Sequence, residues 1–194
     1  MREALTQLLY TRYPVLFAEH RLDATESGMA WGFQHDDGWF AIVDVLAAVI
    51  SAHAPSAVAS SVKQKFGGLR FSLNKDDDLT KGACGAAAGF AATISEVSGR
   101  RGVLMVGRRG RCLQTLALGE LDGFVPVEPE TPAAGFSNLG DIECTAAPKP
   151  NTALTEAAGA EAFHQAMAKR LHLITGDCGP VDDQGLLANC AEGS

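Results

Sequence analysis

The chain has no two cysteines at C-x-x-C spacing. Its five, Cys84, Cys112, Cys144, Cys178 and Cys190, are scattered and odd in number, which argues against a secreted disulfide framework and predicts free, mostly buried thiols. No apolar run reaches the roughly 18–20 residues of a membrane span; the nearest, Phe40 to Ala54, is interrupted by Asp44 and His53. The opening MREALTQLLYTRYP lacks the cationic-then-apolar layout of a secretion signal, so the expectation by elimination is a cytoplasmic protein with no membrane partner. There is no Walker loop, no G-x-S-x-G and no dinucleotide fingerprint. His164 and His172 are not arranged as H-E-x-x-H, and Asp177, Asp182 and Asp183 miss the EF-hand spacing. No catalytic residue, no metal ligand set and no cofactor is expected from such a chain, which points to binding rather than catalysis.

What is present is an ordinary globular composition with an uneven charge layout. The 194 residues are 46% apolar and 20% charged, and 21 are glycine. The net charge of −7 divides sharply. Residues 1–111 hold 13 Lys/Arg against 11 Asp/Glu, and residues 112–194 hold 3 against 12. An acidic C-terminal third disfavours phosphate-backbone contact there and suits either docking on a basic partner or a solvated surface.

Periodicity predicts a helix over residues 1–20, ended or kinked by Pro14, and a strongly apolar helix from about Trp39 to His53, stopped by Pro55. The intervening His35-Asp36-Asp37-Gly38 reads as a turn whose carboxylates cap that helix; half a metal site or an acid–base pair is the rival reading. Val58 to Leu73 reads as two strands around Gly67-Gly68, with Leu69, Phe71 and Leu73 on one face and Arg70 and Ser72 on the other. Leu79 to Val97 is an alanine-rich helix whose Gly82, Gly85 and Gly89 permit close packing against a neighbour. Val103–Val106 and Cys112–Leu118 form a second hairpin. Prolines punctuate residues 119–151, read as a linker or arm, and Thr152 to Leu173 regains a helical stripe through Ala158, Ala162, Phe163, Ala166, Met167 and Leu171. The expected fold is α+β, with helices packed on a small antiparallel sheet of two hairpins over residues 1–118, an arm over 119–151 and a C-terminal helical segment over 152–194.

Two stretches carry binding chemistry. In VKQKFGGLRF, Lys63, Lys65 and Arg70 can meet phosphates or carboxylates, with Phe66 as a stacking face. The plainer reading puts Lys63 and Lys65 on an exposed strand face and fills the core with Phe66, Leu69 and Phe71. Gly67 and Gly68 then supply the positive φ of a tight turn. The second stretch is Arg100, Arg101, Arg108, Arg109 and Arg111, five arginines in twelve residues. It suits nucleic acid or an acidic protein, or is neutralised by the chain's own acidic third. Cys84 has no histidine near it in sequence to activate it as a nucleophile.

GFQHDDGWFAIVDVL followed by KFGGLRF resembles a family of small, largely uncharacterised proteins of bacteriophages, prophages and plasmids, over roughly Leu9 to Leu118. The resemblance implies a C-x-x-C-G knuckle and a later T-L-C that together look like a zinc site. Here the corresponding positions hold Ser95, Ser98 and Ala117, which are not zinc ligands, so the implied state is a kept scaffold without its metal. Gly176-Asp177-Cys178-Gly179 with Asp183 and Asn189 resembles the G-D-W-G pattern of another mobile-element family, with Cys178 in place of tryptophan. Both resemblances imply mobile-element cargo. The expected partner is a host protein or nucleoprotein complex, and inhibition of a host defence such as CRISPR–Cas is one concrete form. Glu128, Glu130, Asp182 and Asp183 would be the docking carboxylates. The alternatives are a nucleic-acid-binding module using the hairpin and the arginine cluster, and a small enzyme with an unrecognised site. The sequence leaves the oligomeric state open.

Overall fold

The computed structural model describes residues 1–107, 112–127 and 150–175, with side chains described over 155–171 of the last stretch. The fold is α+β. Helix α1 (Glu3–Arg12) is followed by short 3-10 turns at Ala18–Arg21 and Gly28–Trp31. Strand β1 (Phe33–Gln34), helix α2 (Phe40–His53), and the hairpin β2 (Ala59–Lys65) and β3 (Gly68–Leu73) come next. Helix α3 (Asp78–Ala91) leads to a second sheet of β4 (Val103–Gly107), β5 (Leu113–Leu116) and β6 (Phe124–Pro126), and α4 (Pro150–Thr175) follows. The two hairpins do not share a sheet. Each gains a third strand, giving orders β1-β2-β3 and β5-β4-β6.

Strand β1 lies parallel to β2, a pairing that requires a crossover connection, and α2 is that crossover. The helix is apolar nearly all round, with Ile42, Val43, Leu46, Ala47 and Ile50 at most 2% exposed, and it forms the centre of the core. Around it gather Phe17, Phe33, Val62, Leu69 and, from α4, Phe163 and Met167. The first predicted helix is shorter than its sequence pattern. It stops at Arg12, two residues before Pro14, and Leu16 and Phe17 enter the core from the following turn instead. Helix α3 likewise ends at Ala91. Its start is fixed by a capping box in which Asp77 accepts from the Thr80 amide and the Thr80 hydroxyl accepts from the Asp77 amide. The proline-punctuated stretch contributes β6, which pairs with β4 through Met105↔Pro126 and Val106↔Val125. Proline is tolerated there because β6 is an edge strand.

Helices α3 and α4 touch backbone to backbone. A Cβ at Gly82 would stand 1.8 Å from the Glu156 carbonyl oxygen, and one at Gly159 would stand 1.9 Å from that of Leu79. Of the three glycines the sequence marks for close packing on α3, only Gly82 serves it; Gly85 and Gly89 have open space where a Cβ would go. Asp44, 4% exposed on α2, reinforces the arrangement. It accepts from Arg12 Nη1 at 2.8 Å on α1, from Arg170 Nη2 at 3.0 Å on α4 and from the Tyr13 hydroxyl at 3.0 Å.

The hairpin turn differs from expectation by one residue. Phe66 (φ 55°) and Gly67 (φ 79°) are the two left-handed positions, as a two-residue type I′ turn demands, and Gly68 begins β3. Phe66 is therefore lifted out of the core to 52% exposure. Holding a non-glycine residue in that conformation costs about 1–3 kcal/mol.

Gly82→Ala and Gly85→Ala separate helix propensity from packing. Gly82→Ala should lower unfolding free energy by about 1–3 kcal/mol through overpacking, whereas Gly85→Ala should raise it by up to about 1 kcal/mol. Urea denaturation of both variants reads the difference; equal effects would remove the close approach of α3 and α4.

Candidate functional site: a carboxylate-centred knuckle and two basic surfaces

The turn at Asp36–Trp39 is the seat of the second sheet. Gly38 donates its amide to the Glu96 carbonyl at 2.7 Å, and Trp39 Nε1 donates to the Ile94 carbonyl at 2.8 Å. A Cβ at Gly38 would sit 2.2 Å from the Ser95 carbonyl oxygen and 2.5 Å from the Gly99 nitrogen, so only glycine admits this loop. The expected cap at this turn is not made: Asp36 occupies the N-cap position but its side chain accepts no capping bond. Asp37 instead accepts from the Arg2 amide at 2.7 Å and from Arg2 Nε, tying α1 to the turn.

The three positions at which the resemblance places metal ligands do come together, around a carboxylate that the sequence reading missed. Glu120 Oε2 accepts from the Ser95 hydroxyl and from the Ala117 amide at 3.0 Å, and Arg100 Nη2 stands 3.7 Å from Oε1. The Glu120 side chain is 7% exposed. Burial opposes its charge, but the bonds from Ser95 and Ala117 together with Arg100 outweigh it and hold the carboxyl below its ordinary value. Ser95 Oγ accepts the amides of Val97 and Ser98, both at 3.2 Å. The missed signal was spacing: Ala117-x-x-Glu120 repeats the interval of Ser95-x-x-Ser98. Two hydroxyls, a methyl group and one carboxylate do not fit a structural zinc ion. Among the described residues no group of three or more His, Cys, Asp or Glu side chains could hold a metal.

Two buried titratable groups border the same turn. His35 is 6% exposed; its Nδ1 pairs with the Asp36 carbonyl at 2.8 Å, and its Nε2 has no hydrogen-bond partner among the described residues. Burial pushes the imidazole down to about 4, against the Asp36 hydrogen bond and the Asp36 and Asp37 charges. Glu96 is 2% exposed; Oε1 accepts from Gln114 Nε2 at 2.6 Å and Oε2 has no hydrogen-bond partner among the described residues. Burial, then the Asp36 charge, pushes its carboxyl up to about 7, against the Gln114 bond.

The basic residues lie on two surfaces. On the first sheet Lys63 and Arg70 are direct cross-strand partners and Lys65 lies two residues along the same face. The Lys65 ammonium is 5.3 Å from the Phe66 ring centroid, a cation–π contact. The hairpin tip rests on the second sheet: the Thr115 hydroxyl donates to the Gly67 carbonyl at 2.7 Å, and Gln64 Nε2 donates to the Leu113 carbonyl. On the knuckle, Arg100, with 67% of its side chain exposed, and Arg101 line a groove of about 420 Å³ with Gly102, Val103, Ala117 and Leu118. Leu118 is 73% exposed there and Val103 42%. Arg108, Arg109, Arg111, Glu128, Glu130, Asp182 and Asp183 lie outside the described residues. Neither described cysteine is buried as expected: Cys112 is exposed, and Cys84 is half-buried on α3, where burial pushes its thiol up to about 12, so it stays protonated at neutral pH.

His35 and Glu96 bias stability in opposite senses. Folded Glu96 keeps a proton that the unfolded chain releases near its ordinary 4.5, so its contribution is full below that pH and is lost as pH rises through about 7. Folded His35 stays neutral below its ordinary 6.5, so its contribution is present above that pH and is lost as pH falls through about 4. Their slopes should cancel across the shared window. Glu96→Gln should leave stability rising with pH between about 4 and 6.5, and His35→Gln should leave it falling between 4.5 and about 7. Urea midpoints against pH measure both; parallel profiles in the two variants would refute the assignment. No protein-family model, no curated protein and no solved structure matches the chain.

Proposed function

We propose that this chain is an accessory protein of a mobile genetic element, cytoplasmic in the host, that acts by binding a macromolecule and not by catalysis. The observation that carries the reading is the groove on the knuckle. Its lining exposes Leu118 and Val103 together with Arg100 and Arg101, and exposed apolar side chains among arginines are the composition of a protein–protein contact. Arginine suits such a place because its planar fork meets carboxylates in pairs and loses little hydration on burial. The partner that fits is a host protein, or the protein part of a nucleoprotein complex, with an apolar centre and carboxylates around it. Inhibition of a defence system such as CRISPR–Cas is one form such docking would take, supported by the phage and plasmid resemblance of the sequence. No described helix is long and apolar enough to cross a membrane, which accords with a partner met in solution.

Two variants distinguish the groove from the acidic C-terminal third. Leu118→Glu with Arg101→Glu should abolish protection of a phage or plasmid against the targeted defence and weaken capture of the purified target by tenfold or more, the loss of one contact worth about 1.4 kcal/mol. Charge reversal at Glu128, Glu130, Asp182 and Asp183 should leave capture intact if the groove is the contact. Undiminished capture by the groove variant, with loss in the reversed-carboxylate variant, would transfer the docking to the acidic third.

A further inference from the structure

The solvent face of the first sheet carries a second feature, independent of the groove. Gln34 on β1, Lys63 on β2 and Arg70 on β3 are successive partners across the sheet, and Lys65 follows on the same face. Lysine directly opposite arginine is an unfavourable cross-strand pair, yet among the described residues no carboxylate pairs with either. Among the described residues none of Lys63, Lys65 and Arg70 enters an ion pair. Within the described residues this is a cationic strip without ion-paired carboxylates, on a protein whose net charge is −7.

Three residues along the chain from Gln34 stands the most exposed aromatic side chain among the described residues. Trp31 ends the 3-10 turn Gly28–Trp31 and is 70% exposed. That turn is fastened to β2. Ser27 Oγ donates to the Ser60 carbonyl at 3.3 Å, and a Cβ at Gly28 would meet Ser61 Cβ at 3.0 Å. Ser61 pairs with Ser72 on the face that also carries Lys63 and Arg70. Trp31 is three residues before Gln34, the partner of Lys63, so at most about 10 Å of chain separates the indole's residue from the strip. The acidic residues of the preceding loop are engaged locally: Asp23 accepts from the Thr25 amide and hydroxyl at 2.9 Å each, and Glu26 accepts from the Asp23 amide at 3.3 Å. At the far end of the strip Phe66 sits at the hairpin tip under the Lys65 ammonium.

We propose that this face, Trp31 with Lys63, Lys65 and Arg70, is a binding surface for single-stranded nucleic acid. Cations spaced along a strand meet successive phosphates, and an exposed indole stacks on an unpaired base. A duplex offers no such base, so the aromatic would contribute nothing to it. An acidic polypeptide would satisfy the cations but leave the indole unused. The proposal stands apart from the groove, and a variant at Leu118 must retain this binding.

The test uses the full chain and fluorescein-labelled oligo(dT), read by anisotropy. The two tryptophans of the chain provide a second readout: Trp39 is fully buried and serves as reference, so quenching should fall on the red-shifted emission of Trp31. Binding should weaken with salt with a logarithmic slope of about −2, for three phosphate contacts on a single strand. Lys63→Gln with Arg70→Gln should weaken it tenfold or more; Trp31→Ala should weaken it roughly tenfold, as for loss of one stacked base, and Trp31→Phe should restore most of it. Both sites are on the surface, and unchanged circular dichroism certifies folding. No binding at low salt, equal affinity of Trp31→Ala and the parent protein, or displacement of oligo(dT) by polyglutamate as readily as by unlabelled oligo(dT) would each overturn the proposal.

Discussion

The missing side chain of Gly38 is the constraint on which the second half of the molecule depends. The loop from Ser95 to Gly99 closes over that α-carbon so tightly that a methyl group would overlap three backbone atoms. The closure lets one turn satisfy the Gly38 amide and the Trp39 indole with carbonyls of the loop. Trp39 is fully buried, so its N–H needs a partner, and Ile94 supplies it. Through this contact the apolar helix α2, which organises the first sheet and the helices, also fixes the loop from which β4 departs. The hairpin tip at Gly67 adds a second fastening, since Leu104 fills the space a side chain there would need.

The knuckle is held by hydrogen bonds to a carboxylate. Glu120 gathers Ser95, the Ala117 amide and Arg100 around one anion, in the place where the resembled family would set thiolates around a metal. Hydrogen bonds to a charged acceptor are the strong kind, but each is worth far less than a metal bond that contributes directly to folding. The loop therefore draws on the fit at Gly38 and on the Glu96–Gln114 bond beneath it. Arg100 keeps 67% of its side chain exposed at 3.7 Å from the buried Glu120 carboxylate, so solvent screens part of the attraction.

Much of this was legible in the sequence. The apolar stripe of α2 and the Phe163–Met167 spacing of α4 named core residues correctly, because burial on one helix face leaves a periodic record, whereas Ala158 and Leu171 at the ends of the α4 stripe are exposed. Alternation on β3 placed Leu69 inside and Arg70 outside. Phe66 was misread because hydrophobicity does not reveal which two residues of Lys65-Phe66-Gly67-Gly68 occupy the turn; that register is set by the Lys65↔Gly68 pairing. Strand β6 was hidden by prolines that an edge strand tolerates. Glu120 was passed over because a lone glutamate in sequence reads as solvated, and only tertiary contact turns it into an acceptor hub and Glu96 into a buried acid. Trp31 escaped notice because nothing in GMAWGF marks which aromatic faces water. The left-handed Gly32 (φ 68°) sends Phe33 into the core while Trp31 stays outside.

The two surfaces proposed for binding share one requirement: the second sheet must be held against the helical body so that the groove is preformed and the hairpin tip is braced. Amide hydrogen exchange of Gly38→Ala against the parent protein tests this most directly. Protection of β4 and β5 amides should fall selectively while α2 and α3 amides keep theirs. Unchanged protection across both sheets would contradict the claim that the fit at Gly38 carries the second half of the fold.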